Sequence, residues 1–311
     1  MSLRVFRNID EIVTNRPSTV VIGVFDGVHR GHQALLQEAK NIANLSDTDL
    51  VVITFDPHPR SVIFNVNPLH LASLPYRLEL LEQNQVDVVF VLPFDKSRSK
   101  QSAEDFIKEI LVDKLQVKNV IIGENFRFGY KALGDVALLE RTGKKFNYTT
   151  IEIKKFSSDE VWSSTNARKL IEAGEMTKAA EVLGRLPRVC GEVVHGDHRG
   201  RELGYPTANL KVDENSCLPQ AGIYAGFLIN ELTKERFAAA ISAGPNATFD
   251  QQHLSLEAYV LDETEIDLYG KRVTFEFLKK LRNSEKFDSV EQLLDQMGQD
   301  VAETRRLTSE P

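Results

Sequence analysis

The chain is poor in cysteine. Cys190 and Cys217 are the two present in 311 residues. They are too few for a disulfide framework and too far apart for a CxxC metal site. Isolated thiols of this kind fit a reducing compartment. No run approaches the roughly 20 apolar residues that a membrane-spanning helix needs. The opening segment MSLRVFRNIDEIV carries acids early and lacks the apolar centre of a secretory leader. The expected location is cytoplasmic, with no membrane partner. A basic excess is also missing: 38 Lys and Arg stand against 45 Asp and Glu, a net charge of −7. That balance counts against a sequence-independent nucleic-acid binder. Biased tracts, internal repeats and a GxxxxGKS or GxxxxGKT phosphate loop are absent too, so any nucleotide site must follow another pattern.

What is present is ordinary globular sequence, 42% hydrophobic and 27% charged, of a length that suits two domains with a full core each. Up to about residue 155, nearly all-apolar runs alternate with helical patterns. The strand candidates are Thr19–Phe25, Leu50–Phe55, Val86–Leu92, Asn119–Ile122 and Tyr148–Ile153, and their composition is that of strands buried on both faces. Helices are expected over His32–Leu45 and Ser102–Leu115, the second opened by Ser102 with Asp105 three residues on. This alternation predicts an α/β domain with a parallel sheet. A helical stretch, Thr165–Leu183, is interrupted at Gly174 and ends at Gly184; Pro187 follows. The boundary is placed there, giving domains 1–186 and 187–311. Beyond it, short strands at Arg188–His195, Gly222–Ile229, Arg236–Ser242, Ser255–Leu261 and Arg272–Phe277 are joined by Gly, Pro, Asn and Asp. That pattern predicts a small antiparallel β-barrel. A terminal helix near Ser289–Leu307 would pack Val290, Leu293, Leu294, Met297 and Val301 on it.

The most informative stretch is GVFDGVHRGH, Gly23–His32. It follows a buried strand and opens a helix, so the amides of the turn and the helix start face whatever binds there, and anions suit that place. Gly23, Gly27 and Gly31 permit close approach of a ligand to the backbone. His29 and His32 lie three apart and fall on one helical face. Two imidazoles there can donate to a phosphate whose charge grows during transfer; capping or metal ligation are the competing uses of such a pair.

A second segment, HGDHRGRELGYPTANL at His195–Leu210, places Gly196, Gly200 and Gly204 around Arg199 and Arg201. Such a loop can fold over phosphates. Thr207 and Asn209 are two apart and point to one side of a strand. A hydroxyl and an amide so placed can offer two oxygens to one hard cation.

GxFDGVHxGH resembles the signature of the bacterial bifunctional riboflavin kinase/FAD synthetase family, within the HxGH nucleotidyltransferase superfamily. Three further segments are similar to that family in the same order: TFDPHPR (Thr54–Arg60), GENFRFGYKALGD (Gly123–Asp135) and SSTNARKLIEAGEMTKAAEVLGR (Ser163–Arg185). PTAN resembles its riboflavin kinase signature. The resemblance runs nearly end to end. It implies a Rossmann-like HxGH nucleotidyltransferase domain followed by a riboflavin kinase-like barrel. ATP would be co-substrate, Mg²⁺ the metal, and riboflavin, FMN and FAD the substrates and products.

By the same resemblance, His29 and His32 would contact the ATP phosphates, with Gly23, Phe25, Asp26 and Gly31 lining the nucleotide. Asn125 would add a polar contact, although many relatives carry Asp there. Ser164, Thr165 and Arg168 would hold the leaving pyrophosphate. In the barrel, Gly196, Gly200 and Arg201 would meet phosphate, and Thr207 and Asn209 would meet Mg²⁺ and ATP. Glu257 would be the general base for the ribityl hydroxyl, and Arg282 and Phe287 would close over the flavin. Relatives usually read NPTF where Asn246–Phe249 reads NATF, with Pro245 two places earlier than expected. Partners would be small molecules; a transient homo-oligomer is compatible with this reading. Its competitors are an FMN adenylyltransferase whose barrel binds flavin without catalysis, an HxGH transferase for another acceptor, and a flavin sensor that turns nothing over.

Overall fold

The structure is a computed structural model that describes residues 2–12, 16–124, 126–153, 162–196, 204–245, 254–263 and 266–309. Two compact units make up the chain. One comprises Met1–Pro68 with Ala72–Ser163, the other Leu69–Leu71 with Ser164–Pro311.

The first unit is built on six parallel strands: β1 (Arg4–Phe6), β2 (Ser18–Ile22), β3 (Asp49–Asp56), β4 (Val88–Pro93), β5 (Val117–Gly123) and β6 (Thr149–Ile153). Their order across the sheet is β1-β4-β3-β2-β5-β6. Alternating side chains of the inner strands feed two separate cores, as a pleated strand covered on both faces must. Val20 and Ile22 enter one core with Phe106, Ile110 and Leu139. Val21 enters the other with Leu36, Ala39 and Leu81. Helices α1 (Arg30–Ser46), α2 (Pro59–Phe64) and α3 (Leu74–Gln83) follow β2 and β3. Helix α4 opens at Ala103–Phe106 and continues in wider π-type turns over Ile107–Lys114. Helix α5 (Val136–Phe146) precedes β6. The Ser102 hydroxyl accepts from the Asp105 amide at 3.0 Å, the cap expected from the sequence.

The order of strands positions the site. From β2 the chain steps to β3 on one side, whereas β5 lies on the other side of β2. Ligands of open parallel sheets collect beyond the carboxyl ends at such a reversal. Gly23–His29, Asp56–His58 and the segment after Gly123 all leave the sheet at that edge.

The second unit contains α6 (Ser164–Glu172), α7 (Met176–Leu183) and six strands: β7 (Arg188–Val194), β8 (Thr207–Val212), β9 (Gly222–Asn230), β10 (Arg236–Pro245), β11 (Leu254–Val260) and β12 (Arg272–Arg282). The strands close into an antiparallel barrel in the order β10-β11-β8-β7-β12-β9. Composition changes at 186/187, but packing divides the chain at Ser163/Ser164. Ala167, Ile171, Met176, Ala179 and Val182 form one core with Tyr224, Leu228 and Phe275 of the barrel. Burying that stripe joins the helices to the strands.

The terminal helix α8 (Val290–Thr308) departs from expectation in its packing. Leu293, Leu294, Met297 and Val301 are half-buried, Val290 is 54% exposed, and the helix's buried side chains are Asp300 and Thr304. A carboxylate in that position needs a partner, which Arg282 supplies.

Candidate active sites

In the first unit the strand stops at Ile22, before the Phe25 forecast for it, because the chain turns sharply. Phe25 (φ 54°), Gly27 (φ 73°) and Val28 (φ 36°) adopt left-handed conformations. Two of the three are not glycine, and each costs on the order of 1–3 kcal/mol. Burial of Phe25 and Val28, 1% and 0% exposed, holds them there. The turn delivers His29 to the N-cap of α1 with no side-chain cap, leaving the first-turn amides to an outside acceptor.

The imidazoles of His29 and His32 stack at 3.7 Å between centroids, and Phe25 packs on His32 at 4.9 Å. Burial, then the neighbouring His29 and Arg77, hold the His32 pKa well below its ordinary 6.5. His32 Nδ1 is buried and makes no hydrogen bond among the described residues. Gly31 lies against this pair: a Cβ on it would stand 3.2 Å from the His29 ring and 3.4 Å from the Trp162 carbonyl. The sidedness expected of the two histidines is therefore present.

Phe25 and Asp26 have side chains turned inward. Phe25 belongs to the core, and Asp26, 3% exposed, accepts from the Ala72 amide at 3.2 Å. Their contribution to a nucleotide would come from backbone, since a buried carboxylate repels phosphate.

Arg77 was not anticipated from the sequence. This buried residue of α3 donates through Nη1 to the Val24 carbonyl (3.2 Å), Thr54 Oγ1 (3.2 Å) and the Phe55 carbonyl (3.3 Å). It thus laces the ends of β2 and β3 together beneath the histidines. Its pKa is lowered by burial, against which Asp26 and Asp56 act. Nothing in SLPYRLELL marks an arginine as buried; its partners are carbonyls brought together by folding. Within TFDPHPR, His58 Nδ1 accepts from the Arg60 amide at 3.0 Å and so caps α2. In GENFRFGYKALGD, a Cβ on Gly129 or Gly134 would fall within 2.8 Å of Ala103. Those two glycines let the segment lie on α4.

In the second unit Ala208 and Leu210 face the barrel core while Thr207, Asn209 and Glu257 lie on the opposite face. Asn209 stands directly across from Glu257 on β11 and from Val194 on β7. The Thr207 hydroxyl donates to Glu257 Oε2 at 3.3 Å. Gly196 closes this corner: a Cβ there would sit 2.4–2.5 Å from the Asn209 amide group. A hydroxyl, an amide oxygen and a carboxylate thus converge beside backbone that only glycine permits. Such a donor set suits a hard cation that keeps waters or phosphate oxygens in its remaining positions. Among the described residues there is no cluster of three His, Cys, Asp or Glu side chains that could hold a metal. Any ion here would rely on the neutral oxygens as well.

The profile of the FAD synthetase family matches residues 11–166, and that of the riboflavin kinase family matches residues 183–308. A bifunctional riboflavin kinase/FMN adenylyltransferase of Listeria monocytogenes is 36% identical, over 94% of this chain and 93% of its own. This chain belongs to the bifunctional riboflavin kinase/FMN adenylyltransferase family. The Escherichia coli K12 protein of the same name is 32% identical over 92% of this chain and 91% of its own. A crystal structure described as a macrolide-efflux protein from Streptococcus pneumoniae shares the fold. Its TM-score is 0.87 at 30% identity, covering 97% of this chain and 98% of the other. Among the described residues no helix is long and apolar enough to cross a membrane.

Within this family frame, the structure gathers Gly23, His29, Gly31 and His32 at one sheet edge, and Gly196, Thr207, Asn209 and Glu257 at one barrel corner. Ser164, Thr165 and Arg168 start α6, and Arg168 Nε donates to the Leu69 carbonyl at 2.6 Å. Arg282 ends β12, and its guanidinium lies 5.6 Å from the Phe287 ring centroid. Asn125, Gly200, Arg201 and the Asn246–Phe249 departure lie outside the described residues.

Proposed function

We propose that this chain makes FAD from riboflavin in two ATP-dependent steps, the barrel unit forming FMN and the sheet unit adenylylating it. One observation carries the reading: the chain holds both a stacked histidine pair at a helix start and a separate Thr207–Asn209–Glu257 corner. Each suits one phosphate chemistry, and family membership supports both activities.

In the first step the ribityl primary hydroxyl attacks the γ-phosphorus of ATP. Its proton passes to Glu257, and the bond to the β-phosphate oxygen of ADP breaks. Thr207 Oγ1 and the Asn209 amide oxygen would hold Mg²⁺, which when bound supplies positive charge to the triphosphate. Gly196 keeps the loop backbone against Asn209, so that the amide faces the same site as Glu257.

In the second step an FMN phosphate oxygen attacks the α-phosphorus of ATP, and the bond to the β-phosphate breaks to release pyrophosphate. No proton need be removed from a phosphate dianion, so the unit's work is positioning and charge stabilisation. His29, His32 and the first amides of α1 would donate to the phosphates. In the proposed reading the enzyme is cytoplasmic, handles small molecules, and needs neither nucleic acid nor membrane.

The test is incubation of pure protein with riboflavin, ATP and Mg²⁺, then with FMN in place of riboflavin, and chromatographic separation of riboflavin, FMN and FAD. Successive appearance of FMN and FAD is expected. If riboflavin and FMN both come through unaltered, the proposal fails.

A further inference from the structure

Arg282 closes β12 just after two register shifts between that strand and β9. Its guanidinium is almost fully engaged within the protein. Nε donates to both carboxylate oxygens of Asp300, at 3.0 and 3.2 Å, and Nη2 donates to Asp300 Oδ2 at 2.8 Å. Nη1 donates to the Asn283 carbonyl at 3.2 Å and to Glu285 Oε1 at 3.1 Å. Of the five N–H groups an arginine offers, four are thereby committed. Asp300 is 7% exposed and also accepts from Gln296 Nε2 at 3.1 Å.

These contacts frame residues 283–288 from both ends. On one side the chain leaves the strand at Arg282. On the other, the Ser289 hydroxyl caps α8 by accepting from the Gln292 amide, and Gln292 Oε1 accepts from the Asp288 amide, both at 3.3 Å. Asp300, three turns into the helix, reaches back to the strand end. Phe287 is half-buried inside that frame. A bidentate arginine–carboxylate pair fixes orientation as well as distance, so this pair sets where the aromatic ring stands.

We infer that Asp300 is a positioning residue for the flavin end of the kinase site, acting through Arg282 on the segment that carries Phe287. Arg282 is then a staple within the protein and not a ligand of the flavin. The inference rests on the reading that the barrel unit phosphorylates riboflavin. Its expected signature is selective. Arg282 stands across from Ile223, Ile223 from Ser242, and Ser242 from Glu257. The frame therefore opens at the level of the barrel where the proposed reading puts the riboflavin hydroxyl, whereas Thr207, Asn209 and Glu257 themselves lie on β8 and β11 and keep their geometry.

The test uses the full-length enzyme and steady-state riboflavin phosphorylation. Asp300→Asn should raise the riboflavin KM by about tenfold, a factor equivalent to roughly 1.4 kcal/mol of binding. The ATP KM and kcat should stay within about twofold of the parent, and FAD formation from supplied FMN should not change. Exchanging the pair, Arg282→Asp with Asp300→Arg, should recover most of the riboflavin KM, because the contact and not the individual charge is what matters. An unaltered riboflavin KM in Asp300→Asn overturns the inference. So does an exchanged pair no better than the single variant, which would put Arg282 on the flavin itself. Equal rises in both KM values with a collapsed kcat would reduce Asp300 to a structural support. If circular dichroism shows that Asp300→Asn has lost the barrel, Gln296→Ala replaces it. That variant should raise the riboflavin KM about threefold, and no change there also overturns the inference. A parent enzyme that forms no FMN sinks the kinase reading instead, so the two failures are distinct.

Discussion

His29 and His32 face each other as stacked imidazoles, 3.7 Å between centroids with planes inclined by 21°. Two imidazolium ions at that separation would repel strongly in a buried setting. The low His32 pKa is the expression of that cost, with burial its largest cause. A triphosphate brought to the helix start would reverse the balance, supplying the negative charge that the pair lacks. Removing one ring should therefore affect phosphate chemistry in this unit alone. We expect His29→Ala to slow FAD formation from FMN by about 10²–10³-fold, the scale of one lost donor to a developing charge. FMN formation from riboflavin should be unaffected. A folded variant that has lost both activities would show that the two sites are not independent.

The same pair makes stability depend on pH. In the unfolded chain His32 takes up a proton near 6.5, whereas in the folded chain its pKa lies well below that. Between those values the unfolded state binds more protons, so stability is complete above 6.5 and is lost as the pH falls towards the folded value. Thermal unfolding of the first unit followed from pH 7.5 to 5 should show a falling midpoint. His32→Asn should flatten that slope, and an equal slope in both proteins would remove His32 as its source.

Glu257 accepts from the Thr207 hydroxyl at 3.3 Å. Replacing the carboxylate by an amide keeps shape and removes the base. Glu257→Gln should slow FMN formation by about 10²–10⁴-fold, the usual worth of a positioned general base. Supplied FMN should still become FAD at the parental rate. Unchanged phosphorylation would take Glu257 out of the reaction.

Gly196 is held against the Asn209 amide, where a Cβ would come within 2.4 Å. Such an overlap cannot be absorbed without moving Asn209. Gly196→Ala should raise the Mg²⁺ concentration needed for half-maximal riboflavin phosphorylation by about tenfold, on the order of one displaced ligand. A magnesium titration of the two proteins checks this; coincident curves would separate Asn209 from the metal.

Glu276, 5% exposed, lies between core residues Phe275 and Phe277 on β12 and joins Arg188 of the adjacent β7 at 2.7 Å and Arg236 of β10 at 2.8 Å. Breaking a buried ion pair from one side typically costs about 3–5 kcal/mol, and the 45% exposure of the Arg236 side chain lowers the expectation to about 3. Glu276→Gln should lose stability on that scale in urea unfolding, with riboflavin and ATP KM values preserved in the folded fraction. A loss below about 1 kcal/mol would place the triad among ordinary surface pairs.

Much of the architecture was legible before folding was considered. All-apolar runs such as LVVITF and VDVVFVL announce strands covered on both faces, and the Ser102 cap marks a helix start that the structure keeps. Strands β1 and helices α2, α3 and α5 were harder to see. β1 has only three residues. The helices do carry start signals, Pro59 and Pro75 in the first turns of α2 and α3 and the Asp135 cap of α5, but α2 and α3 are only six and ten residues long. The site motifs were legible because glycine, histidine and proline in a fixed order leave few alternatives for the backbone. Phe25 and Asp26, though part of the same motif, turn inward, since alternation within a tight turn is not periodic.

Local periodicity and punctuation in the chain were thus sufficient for the two kinds of layer, the strand–turn–helix at His29 and the Thr207–Asn209 pairing, because each depends on neighbours a few residues apart. Membership of α6 and α7 in the barrel's core, the lacing of two strand ends by Arg77 and the Arg282–Asp300 clasp depend on contacts between distant segments. Their energies come from burial and desolvation at particular positions. Those quantities exist once the chain has closed on itself.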